Sequence, residues 1–260
     1  MSLRLRGTTV VRCAAQICAL AASACVHQTV TVHQASVSDA ASYNVQLGVA
    51  YLQQGNLALA KEKLERAAEE NGSDPNVHSA LALLYERLGD DHKADSEYRA
   101  ALRLAPRNPE VSNNYAVFLC RTKRVDEGVR RLLEAAHDPL YRTPEAAYTN
   151  AGVCLRAVHH DAEAQANFQR ALQIRPNFAE AVYQLGDLEF SQGHTRQAKE
   201  RVQRYLETYN ATPELLLLGV RTSRSVGDRV NAERYARRLR VDYPDSEQTR
   251  ALAELTANPG

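Results

Sequence analysis

Residues Leu47 to Ala67, LGVAYLQQGNLALAKEKLERA, and residues Leu81 to Ala101, LALLYERLGDDHKADSEYRAA, carry one pattern written twice. A shift of 34 residues lays Leu47 on Leu81, Gly48 on Ala82, Tyr51 on Tyr85, Gly55 on Gly89, Ala60 on Ala94, Leu64 on Tyr98 and Ala67 on Ala101. Small residues recur where two helices have to touch, and large ones recur where the space between them has to be filled. The pattern continues downstream. Tyr115-Ala116-x-x-Leu119 is followed by Gly128, Leu132 and Ala135, and Ala151-Gly152-x-x-Leu155 by Ala164, Phe168, Ala171 and Pro176. Leu185-Gly186 is followed by Gly193, Ala198 and Val202, and Leu218-Gly219 by Ala232, Ala236, Leu239 and Pro244. Glu189 and Thr222 stand where the pattern expects a large apolar residue.

A helix-turn-helix unit of about 34 residues with these small and large places resembles the tetratricopeptide repeat (TPR). The expected fold is all-α, a TPR superhelix (α-solenoid) of about six repeats, at about 41–74, 75–108, 109–144, 145–178, 179–211 and 212–246. Residues 247–260 are read as a C-terminal tail. Pro106, Pro176 and Pro244 fall where the second helix of a repeat must end, because proline cannot continue an α-helix. Composition points the same way: Trp is absent and Phe occurs only 4 times, which disfavours a β-sandwich. A net charge of +1 gives no global pull toward nucleic acid or an anionic membrane.

The first residues are of another kind. Arg4, Arg6 and Arg12 precede a short apolar run from Cys13 to Ala22, and Ala22-Ser23-Ala24 stand before Cys25. A basic start, a brief apolar stretch and a small-residue cleavage site describe an export signal over 1–24. The cysteine directly after it resembles a bacterial lipobox, with Ala22 in the place usually held by Leu, so Cys25 is the expected lipidation site. Ordinary cleavage after Ala24, leaving a soluble periplasmic protein, stays open. Val26, and not Asp, follows Cys25, which by the enteric sorting pattern implies the outer membrane. Residues 25–40 are polar and lack helical period, so they are read as a flexible tether.

Three stretches go beyond a generic TPR. Repeat three opens with Asn113-Asn114-Tyr115-Ala116-Val117-Phe118-Leu119-Cys120. Two extra residues separate repeats three and four in the connection Asp138–Pro144, followed by Asn150-Ala151-Gly152-Val153-Cys154. The last repeat carries Leu215-Leu216-Leu217-Leu218-Gly219-Val220-Arg221 and then Tyr243-Pro244-Asp245-Ser246. Together these resemble the PilF/PilW family of type IV pilus biogenesis and stability lipoproteins. That resemblance implies a lipid-anchored protein on the periplasmic face of the outer membrane. Its implied partner is the pilus secretin, whose localisation, multimerisation or stability it assists as a pilotin. Another envelope TPR scaffold, serving outer-membrane protein assembly or peptidoglycan enzymes, is the alternative.

In stacked TPRs the first helix of each repeat builds the concave wall. The side chains expected there are Val45, Val49, Leu52 and Leu83, with Glu86 and Arg87 at the edge. Asn113, Val117, Thr149 and Val153 follow from repeats three and four, and Tyr183, Phe190, Leu216 and Val220 from five and six. Such a groove suits an amphipathic helix or an extended apolar segment of a protein partner. Asn113, Asn114 and Asn150 would either bond a bound backbone or satisfy one another. Cys120 and Cys154 lie near the ends of neighbouring first helices. In an oxidising compartment they are expected to pair as a disulfide, with two separately buried thiols as the alternative. Phosphate-loop, dinucleotide, zinc-protease and nucleophile-elbow motifs are missing, so the sequence implies no catalytic residues, metal, cofactor or small-molecule substrate. His159-His160-Asp161 lies at a turn, where polar residues are ordinary. Arg234, Arg237 and Arg238, with Arg221, Arg224, Arg229 and Arg240 nearby, make the C-terminal end locally basic.

Overall fold

The computed structural model describes residues 37–257, and thirteen helices run through them. Repeat one is α1 (Val37–Gln53) and α2 (Leu57–Asn71), and repeat two is α3 (Pro75–Arg87) and α4 (Asp91–Leu104). Repeat three is α5 (Pro109–Arg121) and α6 (Val125–His137), and repeat four is α7 (Pro144–Arg156) and α8 (Asp161–Ile174). Repeats five and six are α9 (Ala179–Ser191) with α10 (Thr195–Thr208), and α11 (Pro213–Ser225) with α12 (Arg229–Asp242); α13 (Glu247–Ala257) follows. The export signal, Cys25 and the tether as far as residue 36 lie outside the described residues.

Local chemistry sets these boundaries. Pro75, Pro109, Pro144 and Pro213 open α3, α5, α7 and α11, where a missing N–H costs nothing. Asp74, Asn108 and Thr212 cap first helices with their side chains, and Asn56, Asp90 and Asp228 cap second helices. The turn inside each repeat needs one left-handed residue. Gly55, Gly89, Gly193 and Gly227 supply it in four repeats, with φ between 74° and 82°. Repeats three and four use Lys123 (φ 66°) and His159 (φ 62°) instead.

Two boundaries differ from the sequence reading. Val37 to Ala40, assigned to the tether, are the first turn of α1, with Asp39 placed to complement the helix dipole. Within the stretch read as a C-terminal tail, Glu247–Ala257 form α13. The Ser246 side chain caps this helix by accepting from the Thr249 N–H at 3.1 Å, and Leu252 is fully buried in the last core cluster. α13 lies on α11 and α12 and so covers apolar surface that the next repeat would otherwise cover.

The two irregular core positions are accommodated differently. Glu189 is buried, and Arg201 reaches its two carboxylate oxygens at 2.6 and 3.0 Å while Gln197 donates at 2.8 Å. Thr222 is buried too, and its hydroxyl donates to the carbonyls of Leu218 (2.8 Å) and Gly219 (3.3 Å). Each polar group has internal partners, so the repeat geometry survives the substitution.

The curvature follows from which helices touch. Each first helix packs on the first helix of the next repeat: α1 on α3, α3 on α5, α5 on α7, α7 on α9, and α9 on α11. Among the described residues no second helix brings a Cα within 8 Å of the next second helix. The first helices therefore form the inner, concave wall and the second helices the splayed outer one.

Candidate protein-docking groove

One position of the first helix decides the character of that wall. Its occupants are Val49, Leu83, Val117, Val153, Asp187 and Arg221, 34 residues apart except for 36 across the Asp138–Pro144 connection. Leu83, Val117 and Val153 are 36%, 40% and 38% exposed, so each leaves part of its aliphatic surface open on the wall. Val49 is half-buried against the first core cluster. Four aliphatic side chains thus step along the wall, one per helix. The row then turns charged.

Asp187 accepts from Arg156 of the preceding helix at 2.7 Å and from Arg221 of the following helix at 3.3 Å. Arg156 also donates to the Gln184 side chain, and Arg221 lies over the Phe190 ring at 5.1 Å. Tyr183 stands beside this cluster; burial, then the neighbouring Asp187 charge, pushes its hydroxyl pKa up. A second ladder edges the groove nearer the N-terminus. Arg121 bonds Glu86 at 3.1 Å and Asp91 at 2.6 Å and covers the Phe118 ring, and those bonds, led by the one to Asp91, raise its pKa. Both ladders tie successive first helices together. Between them, Asn150 donates to Asn113 at 3.1 Å and Asn113 donates to Asn114 at 3.4 Å, so these amides satisfy one another across α5 and α7.

Several expected wall residues are placed elsewhere. Leu52 is buried in the first core cluster and packs between the helices of its own repeat. Thr149 is buried, its hydroxyl spent on the Glu145 carbonyl at 2.7 Å. Leu216 and Val220 are buried in the last cluster. The reason is phase: α11 begins at Pro213, so Leu217 and Arg221, not their predecessors, continue the inner rows from Tyr183 and Asp187. Val45, Tyr183 and Phe190 are half-buried, each packed on a core cluster with one edge open. Asp187 and Arg221 were missed, although the 34-residue spacing from Val153 leads to both.

Cys120 and Cys154 form a disulfide joining α5 to α7, with their Cα atoms 5.6 Å apart. Its fit explains a departure in the repeat pattern. The small place of the second helix is Ala60, Ala94, Ala164, Ala198 and Ala232 in five repeats but Gly128 in repeat three. A Cβ on Gly128 would stand 2.5 Å from Cys120 Sγ and 2.8 Å from the Ala116 carbonyl oxygen. Only glycine leaves room for the bridge.

These helices define a TPR solenoid, a class of scaffold that binds other proteins. Tetratricopeptide-repeat family models match residues 45–109 and 79–139, and another matches 162–218. The type IV pilus assembly protein PilF of Pseudomonas aeruginosa is 33% identical over 202 residues, covering 78% of this chain and 80% of that protein. A solved structure from the functional characterization of Pseudomonas aeruginosa PilF superposes with a TM-score of 0.65 at 31% identity, covering 84% of this chain and 98% of that one. A crystal structure of PilW, described as a widely conserved type IV pilus biogenesis factor, superposes with a TM-score of 0.66 at 27% identity, covering 82% and 98%. The chain belongs to the PilF/PilW family of type IV pilus biogenesis TPR proteins.

Proposed function

We propose that the protein is a non-enzymatic pilotin, which helps the pilus secretin reach, multimerise in or remain stable in the outer membrane. In this reading Cys25 carries the acyl anchor and the solenoid hangs in the periplasm by the short segment that follows. The observation that carries the reading is the exposed aliphatic row Leu83, Val117 and Val153 on the concave wall. Something over a third of each residue is open, so covering it contributes about 0.5–1 kcal/mol apiece. No single contact holds a partner at that strength. A row repeated every helix does, for a partner segment that presents apolar side chains in step with it. The Arg156–Asp187–Arg221 cluster ends the apolar stretch and sets where the segment must become polar.

The test is a deletion strain complemented with wild-type protein or with Val117→Glu/Val153→Glu, reading secretin multimers on a non-reducing gel. Deletion is expected to remove the multimers and wild-type protein to restore them. The double variant should fail to restore them while keeping wild-type helix content, because its new carboxylates would have to be desolvated against the partner. Multimers that persist in the deletion strain would overturn the pilotin reading. Full rescue by the variant would exclude this row as the contact.

A further inference from the structure

The outer face of α12 carries a feature that the groove does not use. Val230 and Val241 are 81% and 71% exposed, far more open than the aliphatic row of the concave wall. On a helix of 3.6 residues per turn they share one stripe about 60° wide with Arg234 and Arg237, and they stand about 16 Å apart along the axis. The stripe lies directly opposite Ala232, Tyr235, Ala236 and Leu239, which are buried. It therefore points straight out from the convex side.

The stripe is cationic as well as apolar. α12 holds five arginines against Glu233 and Asp242. Arg234, Arg238 and Arg240 reach carboxylates only at 3.8–3.9 Å, and Arg229 and Arg237 have no carboxylate partner among the described residues.

We propose that this face of α12 docks on an anionic lipid surface. The charge is complementary to lipid phosphates, which attract basic side chains lying near the surface. Exposed valines at the two ends give the stripe aliphatic surface to bury at the headgroup boundary, while the arginine stems run along it and leave their guanidinium groups among the phosphates. A convex ridge with cations set between two aliphatic ends meets a plane along its whole length, whereas it offers no recess to seat a protein segment. The inference needs neither an acyl anchor nor the groove reading.

The full chain carrying Cys25→Ser, which cannot be acylated there, is floated with phosphatidylethanolamine–phosphatidylglycerol vesicles and with phosphatidylcholine vesicles. The anionic vesicles are expected to bind more protein, less so as salt is added. Arg234→Glu/Arg237→Glu should lower that binding roughly tenfold or more. Val230→Ser/Val241→Ser should lower it by roughly threefold or more. Val230, Arg237 and Val241 are exposed, so their replacement should not move the melting temperature. Arg234 donates to the Tyr235 hydroxyl at 3.0 Å and lies over its ring, so Arg237→Gln alone serves as the milder variant if the arginine pair is destabilised. Equal binding to both vesicle types, or wild-type binding by both double variants, overturns the proposal. So does binding to poly-glutamate but not to vesicles, if the arginine variant loses it and the valine variant keeps it; the face would then serve an acidic protein segment.

Discussion

Replacing Arg201 by Ala should cost far more than replacing the buried acid it serves. Glu189 is 1% exposed, and three of its contacts are hydrogen bonds from side chains: two from Arg201 and one from Gln197. In Arg201→Ala the carboxylate keeps a single amide donor and no opposite charge. Removing one partner of a buried ion pair costs about 3–5 kcal/mol, because the remaining charge stays desolvated. For a chain of this size 1 kcal/mol moves the melting temperature by about 2–4 °C, so the drop should be about 6–20 °C. Glu189→Leu removes the desolvated charge itself and puts at this position the large apolar residue that the repeat pattern expects. Arg201, whose side chain is about a quarter exposed, then turns to water. That substitution should be neutral or stabilising by about 1–2 kcal/mol. Urea denaturation followed by far-ultraviolet circular dichroism measures both variants and their combination. Hydrogen exchange should confine the Arg201→Ala loss to α9, α10 and their neighbours, since a solenoid is stabilised by repeats and adjacent interfaces. A loss under about 1 kcal/mol for Arg201→Ala, or a larger loss for Glu189→Leu than for Arg201→Ala, would refute the reasoning.

Two further outcomes follow from the same structure. Cys120→Ala/Cys154→Ala opens a loop of sequence separation 34, for which chain entropy assigns about 3–4 kcal/mol, and the melting temperature should fall accordingly. Thiol titration of denatured, unreduced wild-type protein should find neither of these cysteines free. Lys123→Gly and His159→Gly relieve left-handed residues that carry side chains, a strain of about 1–2 kcal/mol each, partly offset by the greater freedom of glycine in the unfolded chain. Each should raise the melting temperature by about 1–3 °C, and a decrease would mean that the lysine or histidine side chain supplies a contact of comparable worth.

Legibility differed from residue to residue for physical reasons. Leu83, Val117 and Val153 were readable as wall residues because they recur at one helical position, with only the two-residue insertion to allow for. Leu216 and Val220 were misread because α11 begins one residue later than the assumed repeat boundary, and a shift of one residue turns a helical side chain by about 100°. Leu52 and Thr149 were in phase yet buried: neighbouring side chains close over their positions. Glu189 read as a break in the pattern, and nothing in its own repeat position announced that Arg201 on the next helix would neutralise it.

The amino-acid sequence by itself determined that this chain is a TPR solenoid and which pilus biogenesis family it resembles. Those features rest on contacts between helices adjacent in the chain, and such contacts leave their mark as small and large residues at a fixed spacing. Only the tertiary structure decided which wall residues remain open, that α13 closes the C-terminal end, why Gly128 departs from alanine, and that Val230 and Val241 stay uncovered on the outer face of α12. Each of these depends on how far one helix or repeat turns against the next. That angle is set jointly by all the side chains at an interface, so it has no local signature in the sequence.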